Sequence, residues 1–194
     1  MRKSIEIIGE GETEWFYFES LRIACRYPFK LSPGFPQHAD IDHILKLAKV
    51  KLSEGYDYVV CLIDMDRLYE KSTEMKKYQS FKARKENRGI MFIETSPCTE
   101  FWFLLHYLPN NAVRRFQNYD QLIPELRKYM PGYEKTKHYF RRIKLYEYLR
   151  DHGDIERAKA NADRLSQMSK ASTEDKIAYS EIHKVINLLD ELKQ

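Results

Sequence analysis

Acidic residues in this sequence stand where predicted strands end, and their carboxylates suit a site for a divalent cation. Glu10 follows the apolar run I-E-I-I, Asp64 and Asp66 end and follow the run Y-V-V-C-L-I, and Glu100 lies shortly after I-M-F-I-E. Carboxylate oxygens are preferred ligands of Mg²⁺ and Mn²⁺. Clustered carboxylates without a cation raise one another's pKa at a cost in stability. These four acids therefore predict one metal site if the fold brings them together.

Glu12 and Glu14 extend the first acidic stretch but have a simpler explanation. Both fall in the first turn of a predicted helix, where a negative charge interacts favourably with the helix dipole. For Glu12 we prefer this explanation. The corresponding reading of Asp64 and Asp66, as solvated turn residues, fits less well because they follow a strongly apolar strand.

The stretch G-E-G-E-T-E also begins like the fingerprint G-x-G-x-x-G of dinucleotide-binding proteins. Its last position is Glu14 instead of glycine. That fingerprint brings a helix N-terminus close to a pyrophosphate, and three carboxylates at this point would repel the anion. We therefore predict that this stretch binds no dinucleotide.

Strand and helix patterns alternate along the first half of the chain. Strand patterns cover 3–8, 29–31, 58–63 and 90–94, and helix patterns cover 12–26, 41–54, 68–87 and 99–108. The continuous run Y-V-V-C-L-I is typical of a strand buried on both faces. The alternation predicts an α/β fold with a parallel sheet flanked by helices. Ligands of such sheets bind beyond the carboxyl ends of the strands, where the four acids stand.

Helical patterns alone follow residue 119, and we predict no further strand. They cover 119–129, 137–151, 154–169 and 178–192. We therefore predict an α/β domain over 1–112 and a helical C-terminal segment over 113–194 that packs on it.

Positive charge is concentrated in two segments, although the net charge of the 194 residues is only +4. Residues 67–88 hold eight basic residues against three acidic ones, a net +5, and residues 113–150 hold ten against four, a net +6. Basic residues mixed with tyrosines suit phosphate contacts and base stacking, so nucleic acid is the predicted partner. For 137–151 the alternative, a solvated helix face whose tyrosines pack inward, stays open. Arg67 and Lys135 are candidates for stabilising charge on a phosphate, and ordinary surface roles are open for both.

The cysteines and the hydropathy pattern indicate a cytoplasmic protein. Cys25, Cys61 and Cys98 stand in apolar surroundings without metal-type spacing, which is typical of reduced core cysteines. We expect neither a membrane span nor a secretory leader, because no apolar run reaches about 18 residues.

Two further constellations have structural explanations that we prefer. The stretch Q-H-A-D-I-D-H places His38, Asp40, Asp42 and His43 together, which is compatible with Zn²⁺, but Asp40 is better explained as a helix N-cap. His106 is interpreted as a core or site-rim histidine, with substrate contact as the alternative.

Three blocks of the sequence resemble, in the same order, the RloB family, a Toprim-related group in bacterial phage-defence loci. The blocks are E-G-E-T-E before an aromatic-rich helix, I-D-M-D-R, and S-P-C-T-E-F-W-F-L-L-H-Y, and a weaker block is G-Y-E-K-T-K around Lys135. Glu10 corresponds to the glutamate of the Toprim pattern, and Asp64 and Asp66 to its D-x-D pair. Ser96 and Thr99 depart from the asparagine and phenylalanine of the family signature.

The resemblance implies a nuclease that depends on Mg²⁺ or Mn²⁺ and acts on DNA or RNA, often beside an ATPase partner protein. Glu10, Asp64 and Asp66 would hold one ion, and Glu14 and Glu100 would hold a second ion or orient water. Two other functions stay open: a non-catalytic nucleic-acid-binding or sensing subunit, and a primase-type nucleotidyl transferase. A homo-oligomer is also compatible with the sequence.

Overall fold

Five strands form one mostly parallel sheet, which confirms the predicted fold class. The computed structural model describes residues 3–32, 40–172 and 176–193. The strand order is β2-β1-β3-β4-β5, with parallel pairing throughout except between β4 and β5. The strands are β1 (Ile5–Ile8), β2 (Phe29–Ser32), β3 (Tyr58–Asp64), β4 (Ile90–Ser96) and β5 (Tyr179–Ser180).

Ten α-helices in the described residues cover the sheet. They are α1 (Glu12–Cys25), α2 (Ile41–Ser53), α3 (Met65–Glu70), α4 (Ser72–Ala83), α5 (Glu100–Leu105), α6 (Tyr119–Leu126), α7 (Lys137–Ile143), α8 (Leu145–His152), α9 (Ile155–Ala171) and α10 (Ile182–Lys193). In two places the sequence predicted one helix where the structure has two. The pattern over 68–87 is broken at Lys71, and the pattern over 137–151 is broken at Lys144, whose φ of 49° is left-handed. Neither break carries the glycine or proline that would have signalled it.

The short strand β5 corrects the prediction that no strand follows residue 119. Its two residues pair antiparallel with β4. The Tyr179 hydroxyl donates to Glu94 Oε2 at 3.0 Å, and the Thr95 and Ser180 hydroxyls lie 3.1 Å apart. A strand of two residues is too short to produce a periodic pattern, so its existence depends on these contacts with β4.

Apolar side chains form a core on each face of the sheet. The larger core includes α1 together with α5 to α10, so residues on both sides of position 112 share it. The smaller core lies under α2, α3 and α4. The division into 1–112 and 113–194 stays a prediction.

The three cysteines are free thiols, and two of them are core residues as predicted. Cys61 and Cys98 are buried, and Cys25 is half-buried. Burial raises the pKa of the Cys61 thiol, because the thiolate would lose its hydration. Within the described ranges, no helix combines the length and apolar character needed to cross a bilayer.

His106 is a core histidine in a tight contact, which confirms its preferred interpretation. Its side chain is only 1% exposed and packs edge-on against Trp102. The chain approaches it so closely at Gly153 that a β-carbon there would lie 2.8 Å from His106 Cβ. Burial lowers the pKa of His106 to about 4, because the charged imidazolium would be desolvated.

This buried imidazole predicts a loss of stability in mild acid. The unfolded chain takes up the proton near pH 6.5, whereas the folded chain resists it until about pH 4. Stability therefore falls as the pH drops through this window, by about 3 kcal/mol in total. We expect His106→Gln to flatten the pH dependence of the free energy of unfolding between pH 6.5 and 4, measured in urea. If the free energy of unfolding of the variant fell between pH 6.5 and 4 as steeply as that of the wild type, this assignment would be contradicted.

Candidate functional site

The strand order creates a crevice between the carboxyl ends of β1 and β3. From β1 the chain passes to β2 on one side and then crosses back to β3 on the other. The crossover helices α1 and α2 lie on opposite faces, since α1 contributes to the larger core and α2 to the smaller one. Ligands of open parallel sheets bind at such a switch point. Glu10 follows β1 and Asp64 ends β3, so both stand at this crevice.

An acidic cavity of about 260 Å³ occupies the crevice. We call it the acidic pocket. It brings together acids from two separate stretches of the chain, as the sequence predicted for Glu10 and Asp64. Its lining residues are Glu10, Gly11, Glu12, Glu14, Asp64, Arg67 and Lys135.

Glu10 forms an ion pair with Arg67 in the acidic pocket but remains difficult to ionise. Arg67 Nη1 donates to Glu10 Oε1 at 2.7 Å. Burial and the negative charge of Glu14 nevertheless raise the pKa of Glu10 to about 7, against the lowering effect of Arg67. A bound metal cation would stabilise the ionised form of Glu10 and so lower its pKa.

Glu12 and Glu14 lie in the first turn of α1, as their helix explanation expects, and both also line the acidic pocket. Glu14 Oε2 accepts a hydrogen bond from the Gly11 N–H at 2.8 Å, which caps α1. Glu12 forms an ion pair with Lys137 at 3.1 Å. The helix explanation and a part in the pocket are therefore compatible for both residues.

Asp64 is difficult to ionise, first because it is buried and then because acids surround it. Its Oδ1 accepts a hydrogen bond from the Thr99 hydroxyl at 3.0 Å, which orients the carboxylate from the start of α5. Burial, followed by the charges of Glu14 and Glu10, raises the pKa of Asp64 well above its usual range. Crowded, dehydrated carboxylates of this kind are typical of functional sites.

Asp66 does not line the acidic pocket, although it is only two residues from Asp64. It lies in the first turn of α3, where its Oδ1 accepts from the Arg67 N–H at 2.7 Å. It lines a neighbouring cavity instead. The pKa of Asp66 is raised, first by burial, and the charge of Asp66 contributes to the raised pKa of Glu10. The structure thus places Asp66 beside the pocket, within electrostatic reach of it.

Glu100 is fully buried, and its two oxygens differ in their surroundings. Three groups meet at Oε1: the Thr13 hydroxyl at 3.1 Å, the Tyr133 hydroxyl at 3.0 Å and Lys135 Nζ at 3.1 Å. Burial raises the pKa of Glu100, but the charge of Lys135 and the hydrogen bonds to the carboxylate together outweigh burial, so that the pKa is lowered. Oε2 is buried without a hydrogen-bond partner in the described part of the chain.

Sequence reasoning did not assign Thr13 or Tyr133 to the site. Thr13 was noted only as part of the E-G-E-T-E block, and Tyr133 only within G-Y-E-K-T-K. Hydroxyl donors leave no periodic signal, so their convergence on Glu100 required the tertiary structure. Lys135, by contrast, was a sequence candidate, and it lies between Glu100 and the acidic pocket.

The donor set fits a divalent cation that retains water ligands. Six acids stand in or beside the acidic pocket against three cations, Arg67, Lys135 and Lys137. Among the described residues, no group of three or more Asp, Glu, His or Cys side chains is arranged to enclose an ion. Mg²⁺ is usually bound through one or two carboxylates, several waters and substrate phosphates. The excess acids and the unpartnered Glu100 Oε2 suit that mode.

A basic groove lies between α2 and α4, on the face of the smaller core. It has a volume of about 460 Å³, and Asp42 is its one acidic lining residue in the described chain, paired with Lys77 at 2.6 Å. The basic residues of α2 lie outside the two positively charged segments recognised in the sequence, 67–88 and 113–150. The basic residues of the groove are Lys46, Lys49, Lys76, Lys77 and Arg84.

The predicted base-stacking role of the segment 137–151 is wrong for its first two aromatic residues. Tyr139 and Phe140 are 3% and 1% exposed and belong to the larger core, and Tyr146 and Tyr148 are half-buried against it. The alternative considered for this segment, with aromatic rings packed inward, is therefore correct for Tyr139 and Phe140.

The described part of the stretch Q-H-A-D-I-D-H begins a helix, as expected from Asp40 as an N-cap. Asp40 caps α2 by accepting a hydrogen bond from the His43 N–H at 2.8 Å. Asp42 is engaged by Lys77. His38 lies outside the described residues.

Comparison with known proteins assigns a family to nearly the whole chain. A family model described as RloB-like protein matches residues 5–189. No curated protein and no solved structure matches the chain.

Proposed function

The chain belongs to the RloB-like protein family, and on that basis we propose that it is a nuclease that cleaves phosphodiester bonds of DNA or RNA with the help of Mg²⁺ or Mn²⁺. The observation that carries the proposal is the acidic pocket at the switch point between β1 and β3. Its excess of buried, mutually repelling carboxylates is costly to the protein without a cation. A divalent cation and a phosphate together would satisfy the acids and the nearby basic residues.

In this proposal Glu10, Asp64 and Asp66 hold one ion, and Glu14 and Glu100 hold a second ion or orient water. A bound divalent ion supplies Lewis-acid stabilisation of charge on the phosphate oxygens and lowers the pKa of a water ligand. The Thr99 hydroxyl orients Asp64, and the hydroxyls of Thr13 and Tyr133 orient Glu100. These three hydrogen bonds keep the acids in place before any ligand binds.

Arg67 and Lys135 bind the scissile phosphate in this proposal. Both line the acidic pocket and neutralise acids there, Arg67 at Glu10 and Lys135 at Glu100. Metal ions at the acids would release these two cations toward the negative charge that develops on the phosphate. The charges of Glu100, Glu14 and Asp64 outweigh burial and raise the pKa of Lys135, which keeps it protonated.

The basic groove supplies a binding surface for the nucleic acid backbone. Five basic side chains line it against the single acid Asp42, so the groove attracts a polyanion. Tyrosine stacking is not required for such contacts, because phosphate neutralisation with counterion release gives sequence-independent affinity.

Charge reversal in the groove is expected to weaken nucleic acid binding in a salt-dependent manner. Lys46 and Lys76 lie on the two helices that form the groove. We expect Lys46→Glu with Lys76→Glu to reduce affinity at least tenfold at 100 mM salt and to reduce the slope of log affinity against log salt by about 1 to 2. Fluorescence anisotropy with a labelled oligonucleotide measures both. Lys159→Glu on α9, a single charge reversal outside the groove, provides a comparison with each single groove variant, and an equal effect there would contradict a specific role of the groove.

The proposed setting is bacterial anti-phage defence, in the cytoplasm and beside an ATPase partner protein. This part rests on the resemblance of the blocks E-G-E-T-E, I-D-M-D-R and S-P-C-T-E-F-W to the RloB family described above. The three free cysteines suit a reducing compartment.

The direct test is cleavage of labelled single- and double-stranded DNA and RNA with Mg²⁺, with Mn²⁺ and with a chelator. The proposal expects cleavage only with metal. Binding without cleavage under every condition, with and without a co-purified partner, would favour the non-catalytic subunit. Incorporation of labelled nucleotides on a single-stranded template would instead favour a primase-type transferase, since the same acids serve synthesis.

A further inference from the structure

A second cavity is lined by Asp66, which is only two residues from Asp64 of the acidic pocket. We call it the polar cavity. Its volume is about 490 Å³, larger than the acidic pocket and within the range of small-molecule sites. Because Asp66 lines the polar cavity and Asp64 lines the acidic pocket, a ligand that spans both cavities would pass Asp66. The lining residues are Asp66, Tyr69, Glu70, Ser96, Arg115, Phe116, Gln117, Asn118 and Lys176.

The polar cavity contains an accessible aromatic ring. Tyr69 is 42% exposed, and Lys176 Nζ lies 4.7 Å from the centre of its ring. Phe116 is half-buried and is held edge-on by the core residue Phe101. Flat aromatic side chains in such positions are the usual platforms for unstacked nucleobases.

Two amide side chains give the cavity hydrogen-bonding capacity for the edge of a base. Gln117 is exposed at its rim. Asn118 Oδ1 caps α6 by accepting from the Gln121 N–H at 3.1 Å, which fixes the direction of its amide group. Amide side chains offer the paired donor and acceptor that base edges require.

The charge of the polar cavity differs from that of the other two sites. Its two cations, Arg115 and Lys176, are balanced by its two acids, Asp66 and Glu70. The basic groove has five basic residues against one acid, and the acidic pocket has four acids against two cations. Overall charge therefore does not attract a polyanion to the polar cavity. A flat, polar, nearly neutral group such as a nucleobase suits it better.

We propose that the polar cavity binds the nucleoside adjacent to the scissile phosphate, with its base against Tyr69 and its edge toward Gln117 and Asn118. This inference rests on the proposed function, because the phosphate would lie at the acids. It adds a specificity-determining site to that function. The base is read in an unpaired state, so the substrate is single-stranded or opened at this position.

Photochemical cross-linking tests the inference without any cleavage step. Asp64→Asn is mixed in chelator with single-stranded DNA and RNA oligonucleotides that carry 5-iodouracil, irradiated, and digested for peptide mass spectrometry. We expect cross-links at Tyr69 or Phe116. Tyr69→Ser is expected to lower their yield at least tenfold, whereas Tyr129→Ser, which removes a tyrosine of similar exposure on another surface, leaves the yield unchanged.

A second variant guards against an effect of Tyr69→Ser on folding. Gln117→Ala removes an exposed side chain and is expected to change the affinity ratio among oligonucleotides with A, C, G or U/T at the varied position about fivefold or more. Cross-links confined to the basic groove, an unchanged ratio, or no binding of any oligonucleotide would overturn the proposal. Cross-linking at Tyr69 in a protein that never cleaves would leave the base site standing and remove only the nuclease.

Discussion

Asp64→Asn is expected to lower the metal-dependent cleavage rate about a thousandfold without lowering the melting temperature. The substitution keeps an Oδ1 acceptor for the Thr99 hydroxyl, which donates to Asp64 at 3.0 Å. It removes the negative charge through which the acid would bind metal, and a preorganised electrostatic contribution of this kind is commonly worth about two to three orders of magnitude in rate. The side chain keeps its size and hydrogen bond, so the fold is retained.

The same substitution is expected to stabilise the metal-free protein. Burial and the charges of Glu14 and Glu10 raise the pKa of Asp64 well above its usual range, so its ionised form is costly in the folded state at neutral pH. A neutral amide avoids that cost, and we expect a melting temperature in chelator that equals or exceeds that of the wild type. Added Mn²⁺ should then raise the melting temperature of the wild type more than that of the variant, because bound ligand stabilises the folded state.

Initial cleavage rates and calorimetric melting curves, each with and without metal, measure these two effects. A control is Glu74→Gln on α4, whose acid pairs with Lys71 away from the acidic pocket, and it should leave both quantities near wild type. Cleavage by Asp64→Asn at the wild-type rate would refute the proposed metal site. Lost cleavage together with a lowered melting temperature would instead point to a folding defect.

Lys135→Met is expected to destabilise the protein by about 2 to 3 kcal/mol. Lys135 Nζ lies 3.1 Å from Glu100 Oε1, and the Glu100 side chain is fully buried. Removing one partner of a buried ion pair leaves an uncompensated charge, at a typical cost of about 3 to 5 kcal/mol. The Lys135 side chain is 38% exposed, so water screens the pair and we expect the lower end of this range or less.

Combining Lys135→Met with Glu100→Gln is expected to restore more than half of the lost stability. Glutamine retains an oxygen for the hydroxyls of Thr13 and Tyr133 and carries no charge. Urea unfolding of the four proteins of this cycle gives the coupling energy directly. A surface pair provides the comparison: Lys77→Met breaks an ion pair whose side chains are 56% and 48% exposed and should cost less than about 1 kcal/mol. If the changes in unfolding free energy of Lys135→Met and Glu100→Gln were simply additive, an energetic coupling between Lys135 and Glu100 would be refuted.

Side-chain cations balance the acids of the site only in part. Arg67 and Lys135 hold Glu10 and Glu100 through ion pairs, yet the pKa of Glu10 remains raised to about 7. The compensation at Glu10 is thus incomplete. In the proposed function a metal ion completes it and frees the two cations for phosphate.

Much of the site could be predicted because its acids are placed by the ends of strands. The apolar run before Asp64 predicts a buried strand, and the strand is observed over Tyr58–Asp64. Parallel pairing then carries Glu10 and Asp64 to the same edge, where both line the acidic pocket. Asp66 does not line the acidic pocket with them. A helix begins at Met65, so the chain no longer continues as a strand at Asp66, and Asp66 lines the polar cavity instead.

The sequence by itself determined the α/β class, the approximate strands and helices, and the edge of the sheet at which the acids lie. These follow from hydrophobic periodicity and chain order, which are local properties. Only the tertiary structure decided that β5 joins β4, that Lys46 and Lys49 face Lys76 and Lys77 across a groove, and that three donors share one oxygen of Glu100. Such contacts join residues that are distant in the chain. Which residues meet in such a contact depends on how the helices and the sheet pack together, and this packing cannot be read from a short stretch of sequence.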